Sequence, residues 1–442
     1  MRGGMNLKHK KKMKYIKLLS IAALAWTANT AYGQEGAWKG ELNFQGNKLP
    51  LVFHFSADNC TFDSPSQGAK GIPAEKSVGA DSTIQIKVPA IGAIYVGQKK
   101  GQTITGSFSQ NGFSLPLLLT PGVYQVSRPQ TPVPPYPYKE EQVSFNNDGF
   151  TFGGTLTLPA NCDKKTPVVL MVTGSGLQNR DEELVDHKPF AVIADALARQ
   201  GIASLRYDDR GYGVEGYKMD LFTTADFKQD AEAALKLLRK RFGKVGILGH
   251  SEGGTIALML AAENKADFVV SLAGMVLSGK ETLISQNRKN MEMMGLPKET
   301  LDNYCAAVQK MLEDLASGKK LDELNFGNVP QELKPVLTQS IKQCDSPYFR
   351  YLLNLDIRKD LGKIKCPVLA LNGTKDCQVE CDANLQAIET GLSHCAHKTQ
   401  AFSGLNHLFQ HCETGNVIEY QQIEETLSPE VLNTIISWLK TL

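Results

Sequence analysis

The chain lacks a C-x-x-C pair with histidines at matching spacing, although Cys377, Cys381, Cys395 and Cys412 lie among His394, His397, His407 and His411. That absence argues against a structural zinc site, and no metal is expected. It also lacks a charge excess. The formal net charge is +2, and residues 1–33 hold seven Lys and Arg with no Asp or Glu, so removing seven positive charges leaves −5. A chain so balanced offers no basic footprint for nucleic acid. Its N-terminal apolar run, Leu18 to Trp26, is too short to span a bilayer, and no cysteine follows it to carry a lipid.

What the N-terminus does have is order. Lys8, Lys10, Lys11, Lys12, Lys14 and Lys17 precede the apolar run, and small residues follow as far as Gly33. That is the layout of a secretory signal peptide. Ala31-Tyr32-Gly33 fits the cleavage rule and makes Gln34 the first mature residue, while Met13 already opens a complete signal. A periplasmic or extracellular protein with no stable membrane insertion is expected. All nine cysteines then enter a compartment where disulfides form. The odd count leaves at least one unpaired, and a disulfide tying neighbouring C-terminal loops is the expectation; the spacing does not give its connectivity.

Between Ala37 and Val126 the apolar residues alternate: Trp38, Leu42 and Phe44, then Leu49, Leu51, Phe53 and Phe55, then Ile84, Ile86 and Val88. Short period-two segments with glycine turns predict a small antiparallel all-β domain over 34–127. Without a recognisable cluster of exposed aromatics, it reads as a packing partner in preference to a carbohydrate platform. Residues 128–139 begin Arg-Pro-Gln-Thr-Pro and continue through three further prolines. Fixed φ and missing donors predict an extended linker there.

From residue 140 to 442 the pattern changes. Val143 to Leu158 reads as a hairpin turning at Asn147-Asp148-Gly149. Continuous apolar strands at 168–173, 202–207, 244–248, 268–273 and 367–371 alternate with amphipathic segments such as 190–200, 225–242 and 255–262. Apolar strands separated by helices predict an α/β domain, a mostly parallel sheet covered on both faces. Residues of about 278–356 interrupt this rhythm and predict a helical cap inserted over one end of the sheet.

The chemistry gathers at the ends of these strands. Gly249-His250-Ser251-Glu252-Gly253 follows the strand at 244–248 and opens a helix. A nucleophilic serine there needs a very sharp turn whose flanks have no room for side chains. The helix N-terminus behind it favours developing negative charge. A serine hydroxyl also needs a neutral imidazole, and the imidazole a carboxylate. Asp376, just after the strand at 367–371, is the predicted acid, with Asp382 as runner-up. His407, in Gly404-Leu405-Asn406-His407, is the predicted base, over His394, His397 and His411. The predicted oxyanion hole uses the backbone N–H groups of Glu252 and Ser175, with Gly176 as the alternative to Ser175. No cofactor is needed by this chemistry.

GHSEGG, TGSGLQNRDE with a following HKPF, and RYDDRGYG together resemble the α/β-hydrolase family, and more narrowly the bacterial esterases that carry an N-terminal β domain. The resemblance implies the α/β-hydrolase fold and hydrolysis of small-molecule esters, with short-chain acyl esters as the usual substrates. Arg180, Asp181, Asp208, Asp209 and Arg210 fall on motif positions and read as ion pairs that fix loops. Two alternatives remain at this point: a serine peptidase of aminopeptidase or dipeptidyl type, with Glu252 or a cap acid anchoring the substrate amine, and a non-catalytic glycan-binding protein. Oligomeric state is not legible.

Overall fold

The computed structural model describes residues 36–442, apart from 45–46, 57–58, 66–68, 80, 82, 111, 125, 294 and 332. The signal-peptide expectation therefore lies outside the described residues. The chain divides into two compact units, residues up to 127 with the short segment 418–422, and the remainder of 128–442.

The first unit is a closed antiparallel barrel of eight strands: β1 (Ala37–Phe44), β2 (Asn47–Phe55), β3 (Cys60–Ser64), β4 (Ala69–Val78), β5 (Thr83–Val88), β6 (Ala93–Lys100), β7 (Thr103–Gln110) and β8 (Phe113–Pro121). Each strand pairs with the next, and β8 returns to β1 through Trp38 opposite Pro121. The alternation in the sequence becomes an inside and an outside. Phe53, Phe62, Ile86, Tyr95, Ile104 and Leu119 fill the interior at 0–2 % exposure. Closure leaves no strand edge to recruit another chain.

The second unit is built on an eight-stranded sheet. Its first two strands, β9 (Lys139–Asn147) and β10 (Phe150–Leu158), form an antiparallel hairpin with Phe150 opposite Asn147. The two loop residues, Asp148 and Gly149, have φ of 48° and 80°. Positive φ at both positions is what a tight right-twisting hairpin demands, and Asp-Gly supplies it cheaply. Then come β11 (Val168–Val172), α1 (Pro189–Arg199), β12 (Ala203–Tyr207), α2 (Thr224–Arg239), β13 (Val245–His250), α3 (Glu252–Ala262) and β14 (Val269–Leu272). Four cap helices follow: α4 (Gly279–Met293), α5 (Lys298–Ala316), α6 (Lys334–Gln343) and α7 (Pro347–Asn354). The chain closes with α8 (Arg358–Leu361), β15 (Val368–Gly373), α9 (Cys381–Gly391), β16 (His397–Phe402) and α10 (Pro429–Leu439).

The strand order is β16-β15-β14-β13-β11-β12-β10-β9, and every pair from β12 to β16 is parallel. The continuous apolar strands are explained by two cores. Val168, Leu170 and Val172 pack with α2 and α3, while Val169 and Met171 pack with Phe190 and Leu197 of α1 and Ile435 of α10. Period two survives inside each apolar run, but both phases are buried. The cap has a core of its own around Tyr304, Met311, Leu312, Leu337 and Leu353. This is the α/β-hydrolase architecture, with an all-β barrel ahead of it.

The proline-rich stretch groups with the second unit and is fastened to it. Arg128 donates to the carbonyls of Ile423 and Val185 at 2.8 and 2.9 Å, and Gln130 donates to Leu427 O at 2.7 Å. Prolines supply no donors, so the two side chains between them do the fastening. One expectation needs correction, the disulfide: among the described residues no two cysteines are bridged. The thiols of Cys377 and Cys412 instead meet backbone carbonyls, those of Lys375 and Gly404. Cys305 and Cys344 lie buried in the cap core, and Cys60 in the barrel core.

Candidate active site

Ser251 stands between β13 and α3 with φ 53° and ψ −119°. Such a conformation is strained for a residue with a side chain, and it turns the chain sharply enough to leave the hydroxyl at the partly exposed rim. The glycines are sterically required. A Cβ on Gly253 would sit 2.0 Å from Val172 O, and one on Gly249 would sit 2.0 Å from Gly253 O. The Ser251 N–H donates to Leu272 O at 2.8 Å, tying the turn to β14.

Asp376 follows β15 and is wholly buried. Its Oδ1 accepts from the N–H groups of Gln378 and Val379 at 2.7 and 2.8 Å, and its Oδ2 lies 2.7 Å from His407 Nδ1. Three such contacts fix the carboxylate in place. His407, 3 % exposed, follows β16 in a loop braced by Asn406, whose side chain binds Gln410 and the N–H groups of Leu408 and Gln410. The rival groups are engaged elsewhere. Asp382 is exposed, His394 meets Ile364 O, His397 meets Cys395 O, and His411 pairs with Glu425. Among the described residues, the Ser251 hydroxyl makes no hydrogen bond to His407. The two are joined instead through His250, whose ring centroid lies 4.7 Å from that of His407.

The backbone donors stand ready on both sides. Glu252 is the first residue of α3, so its N–H has no partner within the helix. In the loop after β11, Gly174 N–H donates to Glu182 at 2.6 Å and Gln178 N–H to Asp209 at 2.8 Å. Among the described residues, the N–H groups of Ser175 and Gly176 between them are not taken by a protein acceptor.

The residues read as ion pairs brace this loop, with one exception. Asp208 accepts from the Arg180 N–H at 2.8 Å and its guanidinium at 3.0 Å, and Asp181 pairs with Arg206. Arg210 instead pairs with Asp230 of α2, at 2.6 and 2.8 Å. Asp209 pairs with no cation: it accepts from Thr173 Oγ1 and Gln178 N–H, and burial pushes its carboxyl well above the usual carboxylate range.

Three further groups belong to the site and were missed in the sequence. Glu182 and His250 are 4 % and 7 % exposed; Glu182 Oε1 lies 2.9 Å from His250 Nδ1, and His250 Nε2 lies 3.0 Å from His407 O. Both residues lay inside motifs already noticed, but only as neighbours of the serine and the arginine. Tyr348, on cap helix α7, places its hydroxyl 2.6 Å from Glu252 Oε2 and 2.9 Å from Ser175 Oγ. No sequence signal marked it. The Glu252 carboxyl is buried, and that burial pushes its pKa up despite the contacts of Thr224, Tyr348 and Ser175.

A family model described as "Serine aminopeptidase, S33" matches residues 187–321. The chain is 27 % identical over 312 residues to Esterase EstD of Thermotoga maritima, covering 70 % of this chain and 69 % of that protein. It is 30 % identical over 140 residues to a carboxymethylenebutenolidase of Pseudomonas putida, covering 29 % and 58 % of the two. Among solved structures, Est1E from Butyrivibrio proteoclasticus aligns with a TM-score of 0.40 at 15 % identity, over 68 % of this chain and 98 % of that one.

Proposed function

We propose that this chain, whose fold is that of the α/β hydrolases, is a serine esterase cleaving short-chain carboxylic esters through Ser251, His407 and Asp376. The observation that carries the reading is the buried 2.7 Å contact between His407 and Asp376 at the same sheet rim as the strained Ser251 turn. In this reading Asp376 accepts the Nδ1 proton and leaves Nε2 as the base. Ser251 Oγ attacks the ester carbonyl as its proton passes to Nε2. The resulting oxyanion takes the N–H groups of Glu252 and Ser175, worth about 10²–10³ in rate for each donor. His407 returns the proton to the departing alcohol, and water repeats the sequence on the acyl-enzyme. Catalytic hydrogen bonds of this kind commonly close only around substrate, which accounts for the open Ser251–His407 contact.

Esters are favoured over peptides by Glu252. An aminopeptidase needs a carboxylate to hold the substrate ammonium, and Glu252 is 4 % exposed, bonded to Tyr348 and raised in pKa by burial. A buried carboxyl already engaged by a tyrosine hydroxyl is poorly placed to receive a substrate ammonium. The name of the Thermotoga maritima relative supports the same substrate class. Residues 1–33 support export to the periplasm or beyond. Turnover of p-nitrophenyl acetate beside aminoacyl p-nitroanilides tests the reading: ester turnover with little anilide turnover is expected. Ser251→Ala is expected to lose about 10⁴-fold or more in kcat, and wild-type turnover in that variant would overturn the assignment.

A further inference from the structure

His250 and Glu182 take no part in the chemistry above, yet they touch both halves of the site. Glu182 Oε1 accepts the Gly174 N–H at 2.6 Å and lies 2.9 Å from His250 Nδ1. His250 Nε2 lies 3.0 Å from the backbone carbonyl of His407. We propose that His250 and Glu182 form a buried imidazolium–carboxylate bridge that positions the oxyanion loop and the catalytic histidine against one another. The inference rests on the serine-hydrolase reading and adds two positioning residues to it.

The hydrogen-bond pattern gives the charge state. A backbone carbonyl can only accept, so Nε2 carries a proton. Glu182 Oε1 already receives the Gly174 amide proton and takes Nδ1–H as a second donor, while its Oε2 is buried without a partner among the described residues. Both ring nitrogens then donate, which only the imidazolium can do. Burial works against that charge, but the Glu182 carboxylate, the His407 carbonyl and Asp376 together outweigh it and raise the His250 pKa. The backbone points the same way. Glu182 holds φ 51°, in the left-handed region that is strained for a residue with a side chain. The loop tolerates that strain at the residue whose carboxylate turns inward. Gly174 leaves room for it, since a Cβ there would lie 3.2 Å from both Glu182 Oε1 and Ser251 Cβ.

The bridge makes activity sensitive to alkaline pH. A raised His250 pKa means the imidazolium is complete at low pH and lost as pH rises through the raised value. A neutral ring must then release either Glu182 or His407 O. The ionisable groups facing His250 are Glu182 from the loop after β11, Asp376 from the loop after β15 and His407 from the loop after β16. Phe190 and Ile193 of α1 and Leu272 of β14 present only apolar surface to it.

The test compares p-nitrophenyl acetate kinetics of the wild type, Glu182→Gln and Ser251→Ala from pH 5 to pH 10. Glu182→Gln is expected to lower kcat about ten- to hundredfold at pH 7, leave KM within twofold, and move the alkaline limb to lower pH. A plug that merely stabilised the fold would lower the amount of active enzyme without moving the limb. In the wild type, ¹⁵N NMR of labelled histidine is expected to show both His250 ring nitrogens protonated at pH 7; this reading decides the matter if Glu182→Gln does not fold. Wild-type kcat and pH profile in Glu182→Gln, or one unprotonated ring nitrogen, would overturn the bridge. Turnover surviving in Ser251→Ala would overturn the esterase reading instead, so the two failures are separable.

Discussion

Asp376 and Glu252 are buried carboxyls beside the same reaction, and their surroundings differ. Asp376 has two backbone amides and an imidazole as partners. Asp376→Asn would keep the shape but turn the amide's donor side toward His407 and favour the wrong tautomer. A fall in kcat of about 10³–10⁴ is expected with little change in KM; a loss under tenfold would mean another group orients the imidazole. Glu252 has a hydroxyl as its nearest partner, and its Oε1 has none among the described residues, like the hydroxyl of Thr224 beside it. Because the folded-state pKa of Glu252 is raised, its stabilising protonated form is complete below the ordinary carboxylate range and lost as pH rises through the raised value. Glu252→Gln is neutral throughout while keeping the backbone donor. The difference in Tm between variant and wild type should therefore grow in the variant's favour from pH 4 to pH 9, and a constant difference would show that Glu252 does not hold its proton.

At the scale of elements, the working part is a strand, a turn and a helix. Period and punctuation made β13, the turn and α3 legible, because the glycines that flank Ser251 stand in one short segment, although Gly249 is demanded by the nearby Gly253 and Gly253 by the distant Val172 of β11. The hairpin at Asp148-Gly149 was legible for the same reason: both φ values are positive and the residues are those that permit it. Helices α9 and α10 were not read from the sequence, since their apolar faces are short and acquire meaning only against β15, β16 and α1. The contact of Tyr348 with Ser175 and Glu252 lies further out of reach, because it joins residues 173 and 96 positions apart. The elbow itself gives a sharp prediction. Gly253→Ala puts a methyl 2.0 Å from Val172 O, a backbone atom that cannot step aside. Overpacking should cost about 1–3 kcal/mol or more and abolish activity, read as a lowered Tm and lost ester turnover; an alanine variant with wild-type stability would mean β11 and α3 can separate without harm.

For the molecule as a whole, composition was a poor guide to sulfur chemistry and a fair one to architecture. The barrel and the α/β unit follow from two hydrophobic periods with a proline-rich stretch between them, and local pattern is enough for that. Where a thiol ends up depends on packing between distant elements, and crowding in sequence does not make a pair in space. Cys377 and Cys412 bond carbonyls, and burial pushes Cys60, Cys344 and Cys366 up to about 11 and Cys381 up to about 12. Only the thiolate attacks a disulfide reagent, so these four are held unreactive at pH 8 by both access and charge. Native mature protein purified without reductant should release thionitrobenzoate slowly and in less than full yield, with Cys162 and Cys412, two of the four partly exposed thiols, among the first to react. In guanidinium chloride the same protein should titrate nine thiols. Fewer than nine after unfolding would mean that export had oxidised a pair and that the loops around Asp376 and His407 carry a covalent tie.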